Sequence, residues 1–174
     1  MKNALIITSQ LVQDHEFIYP FYRLKEEGIN VDVYNQTSQI VKGFFGTKIP
    51  PQKDDNIVNL DKIDLDSYEL LVLPGGVKSM ELLRLDNNAI EIVKKFNQKN
   101  KLIAAICSGT MMLISANIIK GKKVTGYYAW KQDIINAGAE FVDNPSVEDG
   151  NIITSPHYKY NGEWMKLAIS KLKK

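Results

Sequence analysis

The single cysteine of the chain, Cys107, occupies a position suited to nucleophilic chemistry. It follows the apolar run 102–106, LIAAI, and precedes Ser108, Gly109 and a helix-like stretch. A thiol in a tight turn between a strand and a helix resembles a nucleophile elbow, in which a small residue such as Gly109 leaves the reactive atom accessible. A helix N-terminus favours the anion, so we expect more thiolate at neutral pH than for free cysteine, whose pKa is about 8.5. The alternative is a buried structural cysteine, because cysteine is among the most buried residue types.

Two glycines at the end of another apolar run offer backbone amides. Gly75 and Gly76 follow residues 69–73, ELLVL, and Pro74. Glycine lets the backbone turn sharply and approach a ligand closely, so the N–H groups of Gly76 and Ser108 could together hold an oxyanion. An ordinary turn at the end of a strand is the alternative interpretation.

Glu16 could contribute a carboxyl group to the same chemistry. It comes shortly after the apolar run Asn3–Thr8, where a carboxyl group would lie at the mouth of the sheet. In its protonated form it could donate a hydrogen bond to a thiolate, and in its ionised form it could act as a general base. The alternative is a solvated acid in the first turn of a helix, which the helix dipole favours.

The chain has two histidines, and only one of them is expected near the thiol. His15 precedes Glu16 and points about a quarter-turn away from it on a helix, which predicts a surface position. His157 follows a predicted last strand and lies either on the same rim as Cys107 or in a solvated loop. Histidine and cysteine lack metal-ligand spacing, so the sequence predicts no metal site and no cofactor. Three aromatic side chains could line a pocket or pack in the core: Tyr127, Tyr128 and Trp130.

Apolar strands alternate with amphipathic helices along the chain, a pattern typical of an α/β fold with a mostly parallel central sheet and helices on both faces. Strands are predicted at Asn3–Thr8, 29–34, 69–73, 102–106, 124–126 and Ile152–Ser155. Helices are predicted at 14–27, 79–85, 88–97, 111–119, 130–136 and 163–172. Pro20 predicts a kink or a late start in the first helix. Residues 35–55, with KGFFGT and IPPQK, predict a hairpin or a surface loop.

The predicted topology brings the chemistry-bearing residues to one edge of the sheet. In open parallel sheets, ligands bind beyond the carboxyl ends of the strands, where helix N-termini present N–H groups and partial positive charge. Glu16, the glycine pair 75–76 and Cys107 each follow a predicted strand at that edge. We therefore expect them to form one nucleophile elbow site.

Length and composition favour a single domain over residues 1–174. A chain of 174 residues buries roughly 70% of its unfolded surface around one core. A net charge of +2 from 22 basic and 20 acidic residues gives no reason to expect a nucleic-acid surface. No run of 18 or more apolar residues and no signal-peptide pattern occurs, which predicts a cytoplasmic protein without a membrane partner. One cysteine cannot form an intrachain disulfide.

The ordered set of motifs resembles the ThiJ/PfpI superfamily, whose fold is similar to the class I glutamine amidotransferase domain. The resemblance covers nearly the whole chain and rests on HEFIYPFYRLKEEG, LVLPGG, AAICSG and the block LISANIIKGKKVTGYYAWKQDIINAGAEFVDNPSVEDGNIITS. It implies a flavodoxin-like α/β sandwich, and a homodimer or larger assembly. It also implies that Cys107 is the nucleophile, that Glu16 is the carboxyl beside it, and that Gly76 and Ser108 supply the oxyanion-hole amides.

The chain departs from two branches of that family. In the protease-like branch a histidine follows the cysteine, whereas here Ser108 stands there, so the pair that activates a thiol for amide hydrolysis is missing unless His157 replaces it. Glu81 resembles a glutamate that a neighbouring subunit contributes in that branch. The glyoxalase-like branch often has a histidine where this chain has Tyr127. Peptidase activity is therefore not expected.

These observations leave several functions open. The first is a cysteine-dependent hydrolase or glyoxalase-like lyase, in which Cys107 adds to a small carbonyl or acyl substrate and Glu16 moves the proton. The second is a non-catalytic sensor of oxidative stress, in which Cys107 is oxidised to a sulfinic acid held by Glu16. The third is a chaperone-like module that uses an apolar dimer face.

Overall fold

The computed structural model describes residues 2–36, 40–49, 57–58 and 63–173 of the chain. The strands are β1 Asn3–Thr8, β2 Asn30–Asn35, β3 Val41–Lys42, β4 Lys48–Ile49, β5 Leu70–Leu73, β6 Leu102–Ile106, β7 Lys123–Val124, β8 Glu140–Phe141, β9 Val147–Asp149 and β10 Ile152–Ser155. The helices are α1 Asp14–Glu26, α2 Val77–Leu83, α3 Asn87–Gln98, α4 Thr110–Ser115, α5 Lys131–Asn136 and α6 Asn161–Leu172. Single 3₁₀ turns at Leu65–Ser67, Cys107–Gly109, Tyr128–Trp130 and Tyr158–Tyr160 connect them.

The central sheet has the strand order β2-β1-β5-β6-β10-β9. The first five strands are parallel, and only β9 runs antiparallel to its neighbour β10. This confirms the predicted α/β fold with a mostly parallel sheet. The chain leaves β1 toward β2 on one side and later continues from β5 toward β6 on the other, so the sheet has its switch point between β1 and β5. Ligands bind at such a point, beyond the carboxyl ends of the strands.

Each strand of the sheet contributes to two cores, because successive side chains point to opposite faces. In β1, Ala4 and Ile6 pack against α1 and α6 on one face. Leu5 and Ile7 pack on the other face against α2, α3, α4 and α5. All four side chains are buried, which explains why β1 reads as a continuous apolar run instead of an alternating one.

Helix α1 places Glu16 at the edge of the sheet. Gln13 caps the helix, since its side-chain oxygen accepts the N–H of His15 at 2.7 Å and that of Glu16 at 3.2 Å. The helix begins at Asp14 and continues through Pro20 to Glu26, so the predicted late start is wrong. Pro20 removes one N–H donor, but the buried residues of the helix face hold it against the sheet.

Several boundaries differ from the sequence predictions. Helix α4 ends at Ser115 instead of residue 119, and the last helix begins at Asn161. Within residues 35–55, the antiparallel pair β3 and β4 confirms the predicted hairpin, and residues 37–39 and 50–55 lie outside the described part. The short strands β8 and β9 were not predicted, because two or three residues carry no periodic signal.

Candidate active site

Three predicted site residues meet at the carboxyl edge of the sheet. Glu16 lies in the first turn of α1, Gly75 follows β5, and Cys107 directly follows β6. A Cβ atom added to Gly75 would lie closer than 3.0 Å to Glu16 Oε2, to the Ser108 backbone nitrogen and to Cys107 Cβ. Only glycine fits at this position, because the acid and the thiol turn approach it from two sides.

Cys107 adopts the strained backbone of a nucleophile elbow. Its φ is +55°, a left-handed conformation that costs a non-glycine residue energy and persists only where surrounding contacts enforce it. Its carbonyl accepts hydrogen bonds from Thr110 Oγ1 at 2.9 Å and from the Tyr127 N–H at 3.2 Å. Gly109 packs so closely on the Leu73 carbonyl that a side chain would collide with it. The elbow predicted from Cys-Ser-Gly is therefore present.

Glu16 is fully buried, with 0% of its surface exposed, so its interpretation as a solvated first-turn acid is wrong. Burial raises its pKa to about 8, while the Cys107 thiol and the Gly75 amide oppose this more weakly. The carboxyl group therefore keeps its proton at neutral pH. The Gly75 N–H donates to Oε2 at 2.8 Å. Oε1 is buried and has no partner with hydrogen-bond geometry among the described residues.

The Cys107 thiol is neutral in the resting site, contrary to the sequence prediction. Only 8% of the residue is exposed. Burial raises the pKa of the thiol, and a negative charge on Glu16 would raise it further, whereas hydrogen bonds from Ser108 lower it. Desolvation raises the pKa of the Cys107 thiol by more than the following helix lowers it, because a helix dipole stabilises an anion by only about 1 kcal/mol in exposed positions. The expected excess of thiolate at neutral pH is therefore wrong for the free protein.

The two predicted oxyanion donors lie on either side of the thiol. The Ser108 backbone N–H is directed toward the sulfur. Gly76 precedes α2 with a φ of +100° and packs against the backbone of Gln13. Both residues border the cavity that contains Cys107. The neighbouring Gly75 amide is already used by Glu16.

A cavity of about 480 Å³ opens above the thiol. Its wall includes seven residues singled out in the sequence: Glu16, Glu81, Gly76, Cys107, Ser108, Tyr127 and His157. Tyr128 and Trp130, which were also considered as pocket residues, do not line it. The sequence analysis missed Phe44, Phe45, Gln13 and Tyr158, which also line it. The adjacent aromatic pair between two glycines in KGFFGT was the available signal, since exposed aromatic side chains are unusual without a ligand or a partner.

His157 is neutral at the cavity wall. Burial, followed by the positive charge of Lys159, lowers its pKa. Its Nδ1 accepts the backbone N–H of Lys159 at 3.2 Å, which puts the ring proton on Nε2. In this tautomer Nε2 is a hydrogen-bond donor, and the residue borders the cavity that contains Cys107. It does not reproduce the base of a Cys-His pair.

The other wall residues are held by local contacts. Glu81 pairs with Lys78 on the same helix at 2.8 Å, and both side chains are more than half exposed. The loop carrying Phe45 is anchored by buried Asp14, which accepts the N–H of Phe45 at 2.8 Å and that of Thr47 at 3.3 Å. The Phe45 side chain itself is 62% exposed. The rim thus presents an exposed aromatic side chain on a backbone that Asp14 holds by hydrogen bonds.

The second histidine contributes to this aromatic rim and not to the thiol. His15 is exposed, as predicted, and its ring stacks on Tyr158 with centroids 5.0 Å apart. Tyr158 in turn contacts His157, with centroids 4.0 Å apart. A wider groove of about 1150 Å³ along α1 shares Phe45 and Tyr158 with the site but does not contain the thiol.

Residues 2–36, 40–49, 57–58 and 63–173 offer neither a metal site nor a membrane-spanning helix. This part of the chain has no cluster of three or more histidine, cysteine or acidic side chains arranged to hold a metal ion. Its helices are too short or too polar to span a bilayer.

Comparison with known proteins identifies relatives along the whole chain. A model of the DJ-1/PfpI family matches residues 2–171. The chain is 37% identical over 169 residues to Deglycase PfpI of Pyrococcus furiosus, covering 97% of this chain and 98% of that protein. It is 34% identical over 155 residues to Putative cysteine protease YraA of Bacillus subtilis, covering 88% of each chain.

A solved structure shows the same fold. It is a two-domain protein of Anabaena variabilis containing DJ-1/ThiJ/PfpI-like and ferritin-like domains, which superposes with a TM-score of 0.90 at 30% identity. The match covers 99% of this chain and 48% of that longer chain. It confirms the flavodoxin-like architecture expected from the sequence motifs.

Proposed function

The chain belongs to the DJ-1/PfpI family, and on that premise we propose that it is a thiol-dependent hydrolase whose substrate is a small molecule with an electrophilic carbonyl or acyl carbon. The observation that supports this most strongly is the neutral, buried Glu16 beside Cys107. Its Oε1 lacks a partner among the described residues, and Glu16 and Cys107 border the same cavity. The names of the two relatives, a deglycase and a putative cysteine protease, agree with hydrolytic chemistry.

In the first step the proton moves through Glu16. The Cys107 sulfur forms a bond to the substrate carbon as the carbonyl π bond opens, and the oxygen receives the proton of Glu16. The carboxylate formed in this way takes the proton of the thiol. Glu16 thus ends the step protonated, as it began, and no external base is required. This explains how a thiol with a raised pKa can react at neutral pH.

The amides around the elbow stabilise the oxygen of the adduct before it is fully protonated. The N–H groups of Ser108 and Gly76 are the donors for this negative charge. His157 adds a ring N–H from the cavity wall. These donors are fixed before the substrate arrives, so little reorganisation is needed at the moment of reaction.

The fate of the adduct depends on the substrate. An acyl adduct expels its leaving group, which takes a proton, and water then hydrolyses the thioester to release the acid and the thiol. A glyoxalase-like reaction is the alternative. In that case Glu16 moves a carbon-bound proton of a dicarbonyl adduct to the adjacent carbon, and hydrolysis of the thioester releases a hydroxy acid.

The geometry ranks the other functions below this one. Oxidation of cysteine proceeds from the thiolate, and the raised pKa of Cys107 reduces that form. Peptide hydrolysis needs a base paired with the thiol, and Ser108 does not provide one. Redox sensing and chaperone activity stay predictions, as does a homodimeric assembly.

The proposal is tested by replacing the nucleophile. Cys107→Ala removes the only thiol, and we expect turnover of methylglyoxal and of an activated ester to fall by roughly a thousandfold or more. The matched control is Ser170→Ala on the exposed face of α6, which should keep full activity. Circular dichroism and thermal unfolding check that both variants fold. Turnover by the folded Cys107→Ala protein at the wild-type rate contradicts the proposal.

A further inference from the structure

The side chain that follows the nucleophile is held between two partners. Trp130 Nε1 lies 3.0 Å from Ser108 Oγ. The same hydroxyl oxygen lies 3.8 Å from Cys107 Sγ, within the range of hydrogen bonds that involve sulfur. Ser108 is 1% exposed, so water does not compete freely for its hydroxyl. The indole, the hydroxyl and the thiol therefore form a continuous chain.

The chemistry of the indole fixes the direction of one of these hydrogen bonds, while in the contact between Ser108 and Cys107 either atom can donate. The Nε1–H of tryptophan donates and cannot accept, so Ser108 Oγ must be the acceptor in its contact with Trp130. The hydroxyl has one hydrogen of its own, and Cys107 Sγ is its other partner. We propose that Trp130 is a positioning residue, which orients the Ser108 hydroxyl so that it donates its hydrogen to the Cys107 sulfur.

This orientation favours the negative form of the sulfur. A hydroxyl that donates to an anion stabilises it, and a buried site of low dielectric strengthens the interaction. The Ser108 hydroxyl opposes the effect of burial on the pKa of Cys107, in the direction that the proposed chain requires. Without the indole, the hydroxyl could rotate and offer a lone pair to the sulfur, which destabilises the anion.

The backbone holds Trp130 in register with the elbow. The Tyr127 N–H donates to the Cys107 carbonyl at 3.2 Å, and the Trp130 N–H donates to the Tyr127 carbonyl at 2.9 Å. The segment that carries the indole is therefore attached to the residue whose sulfur it serves. A side chain placed in this way contributes positional precision that a mobile loop does not.

The inference rests on the proposed function for its effect on turnover, but not for its effect on the thiol. Cys107 is the only cysteine, so the rate of iodoacetamide alkylation at pH 8 reports on this sulfur without any substrate. Below the pKa of a thiol, the thiolate fraction falls tenfold per unit rise in pKa, and the higher nucleophilicity of a more basic thiolate offsets part of this.

Three variants test the chain. Relative to wild type, Ser108→Ala should slow alkylation about three- to tenfold and Trp130→Phe about threefold. The double variant should react at the rate of Ser108→Ala alone, because an indole that acts through the hydroxyl has no effect once the hydroxyl is gone. An unchanged rate in Trp130→Phe overturns the inference. So does an equal effect of Trp130→Phe in both backgrounds, which would indicate altered packing.

Two controls separate the hydrogen bonds from loss of structure. Trp164→Phe removes the other indole N–H, which is buried without a partner among the described residues, and should leave the alkylation rate within twofold of wild type. Ser108→Thr keeps a hydroxyl and should react faster than Ser108→Ala, and a threonine variant as slow as the alanine variant contradicts the inference. Circular dichroism checks that each variant is folded before its alkylation rate is compared with that of wild type. If the Ser108 and Trp130 variants show the expected changes in alkylation rate but the wild-type protein turns over no substrate, the proposed function is refuted and the positioning role of Trp130 is retained.

Discussion

The amino and carboxyl edges of the central sheet differ in how far their polar groups are paired by hydrogen bonds. At the amino edge, Lys101 precedes β6, and its Nζ donates to the carbonyls of Leu65, Asp66 and Tyr68 at 2.7–3.0 Å. At the carboxyl edge, Cys107 follows β6 with a φ of +55°, and Glu16 Oε1 has no hydrogen-bond partner among the residues that the structure describes. At the amino edge, Lys101 therefore satisfies three backbone carbonyls. At the carboxyl edge, the described residues include a strained backbone at Cys107 and an unpaired carboxyl oxygen of Glu16.

The difference suggests that one edge of the sheet stabilises the fold and the other edge carries the function. Hydrogen bonds to a charged group stabilise a folded protein by about 1.5–3 kcal/mol each. Strained residues and buried unpaired groups cost about 1–3 kcal/mol each, and they are retained where a ligand uses them. We therefore expect substitutions at the carboxyl edge to affect turnover most, and substitutions at the amino edge to affect unfolding.

The largest expected effect in this comparison is on turnover in Glu16→Gln. The amide can still accept the Gly75 N–H but cannot pass a proton, so turnover should fall about 10²- to 10³-fold. The same exchange at exposed Glu163 is the matched control and should have no effect. A Glu16→Gln variant with near-normal turnover would show that the buried acid is not the proton carrier.

The same variant should change how stability depends on pH. The pKa of Glu16 is about 8 in the folded protein against an ordinary value of 4.5, so the folded state holds this proton more tightly between those values. The free energy of unfolding should fall as pH rises from about 4.5 to about 8, by several kcal/mol at most, at about 1.4 kcal/mol per pKa unit. In denaturant titrations Glu16→Gln should lose this component of the slope. Parallel slopes for both proteins would contradict a raised pKa.

Lys101→Met should have an intermediate effect, on stability alone. It leaves three backbone carbonyls without their cationic donor, and we expect a loss of about 2–4 kcal/mol in the free energy of unfolding. Lys94→Met serves as the control, because within the described part of the chain Lys94 forms an exposed pair with Glu91, and the substitution should cost about 0.5 kcal/mol or less. Turnover of the folded Lys101→Met protein should equal that of wild type. A large loss of activity in this variant would contradict the proposal that the amino edge affects stability and not turnover.

The smallest expected effect is that of Phe45→Ala at the cavity rim. Its backbone N–H bond to Asp14 survives the substitution, so the loop should keep its course while the cavity loses apolar surface. We expect KM to rise about fivefold and kcat to change little, since a partly exposed ring contributes about 1 kcal/mol of binding. Leu85→Ala, exposed and outside the cavity, is the control. A fall in kcat alone would place Phe45 closer to the reacting atoms than the structure does.

The sequence alone was sufficient to predict the elements and the positions from which the site is built. The buried strands β1, β6 and β10 were predicted with their observed limits, because uninterrupted apolar runs between turn residues leave few alternatives. The Cys-Ser-Gly turn and the glycine pair at 75–76 also followed from local chemistry. These features depend on residues that are neighbours in the chain.

Only the tertiary structure decided the ionisation of the site. Five strands, β2 to β6, and the helices α2 and α3 lie between Glu16 and Cys107 in the chain. The fold brings the two residues together at Gly75, which packs closely against both. A pKa is set by the desolvation and charges that surround a group in space, and a sequence pattern does not report these. For this reason the sequence left both a functional and a solvated role open for Glu16, whereas the structure buries it, and the thiol expected to ionise readily has a raised pKa.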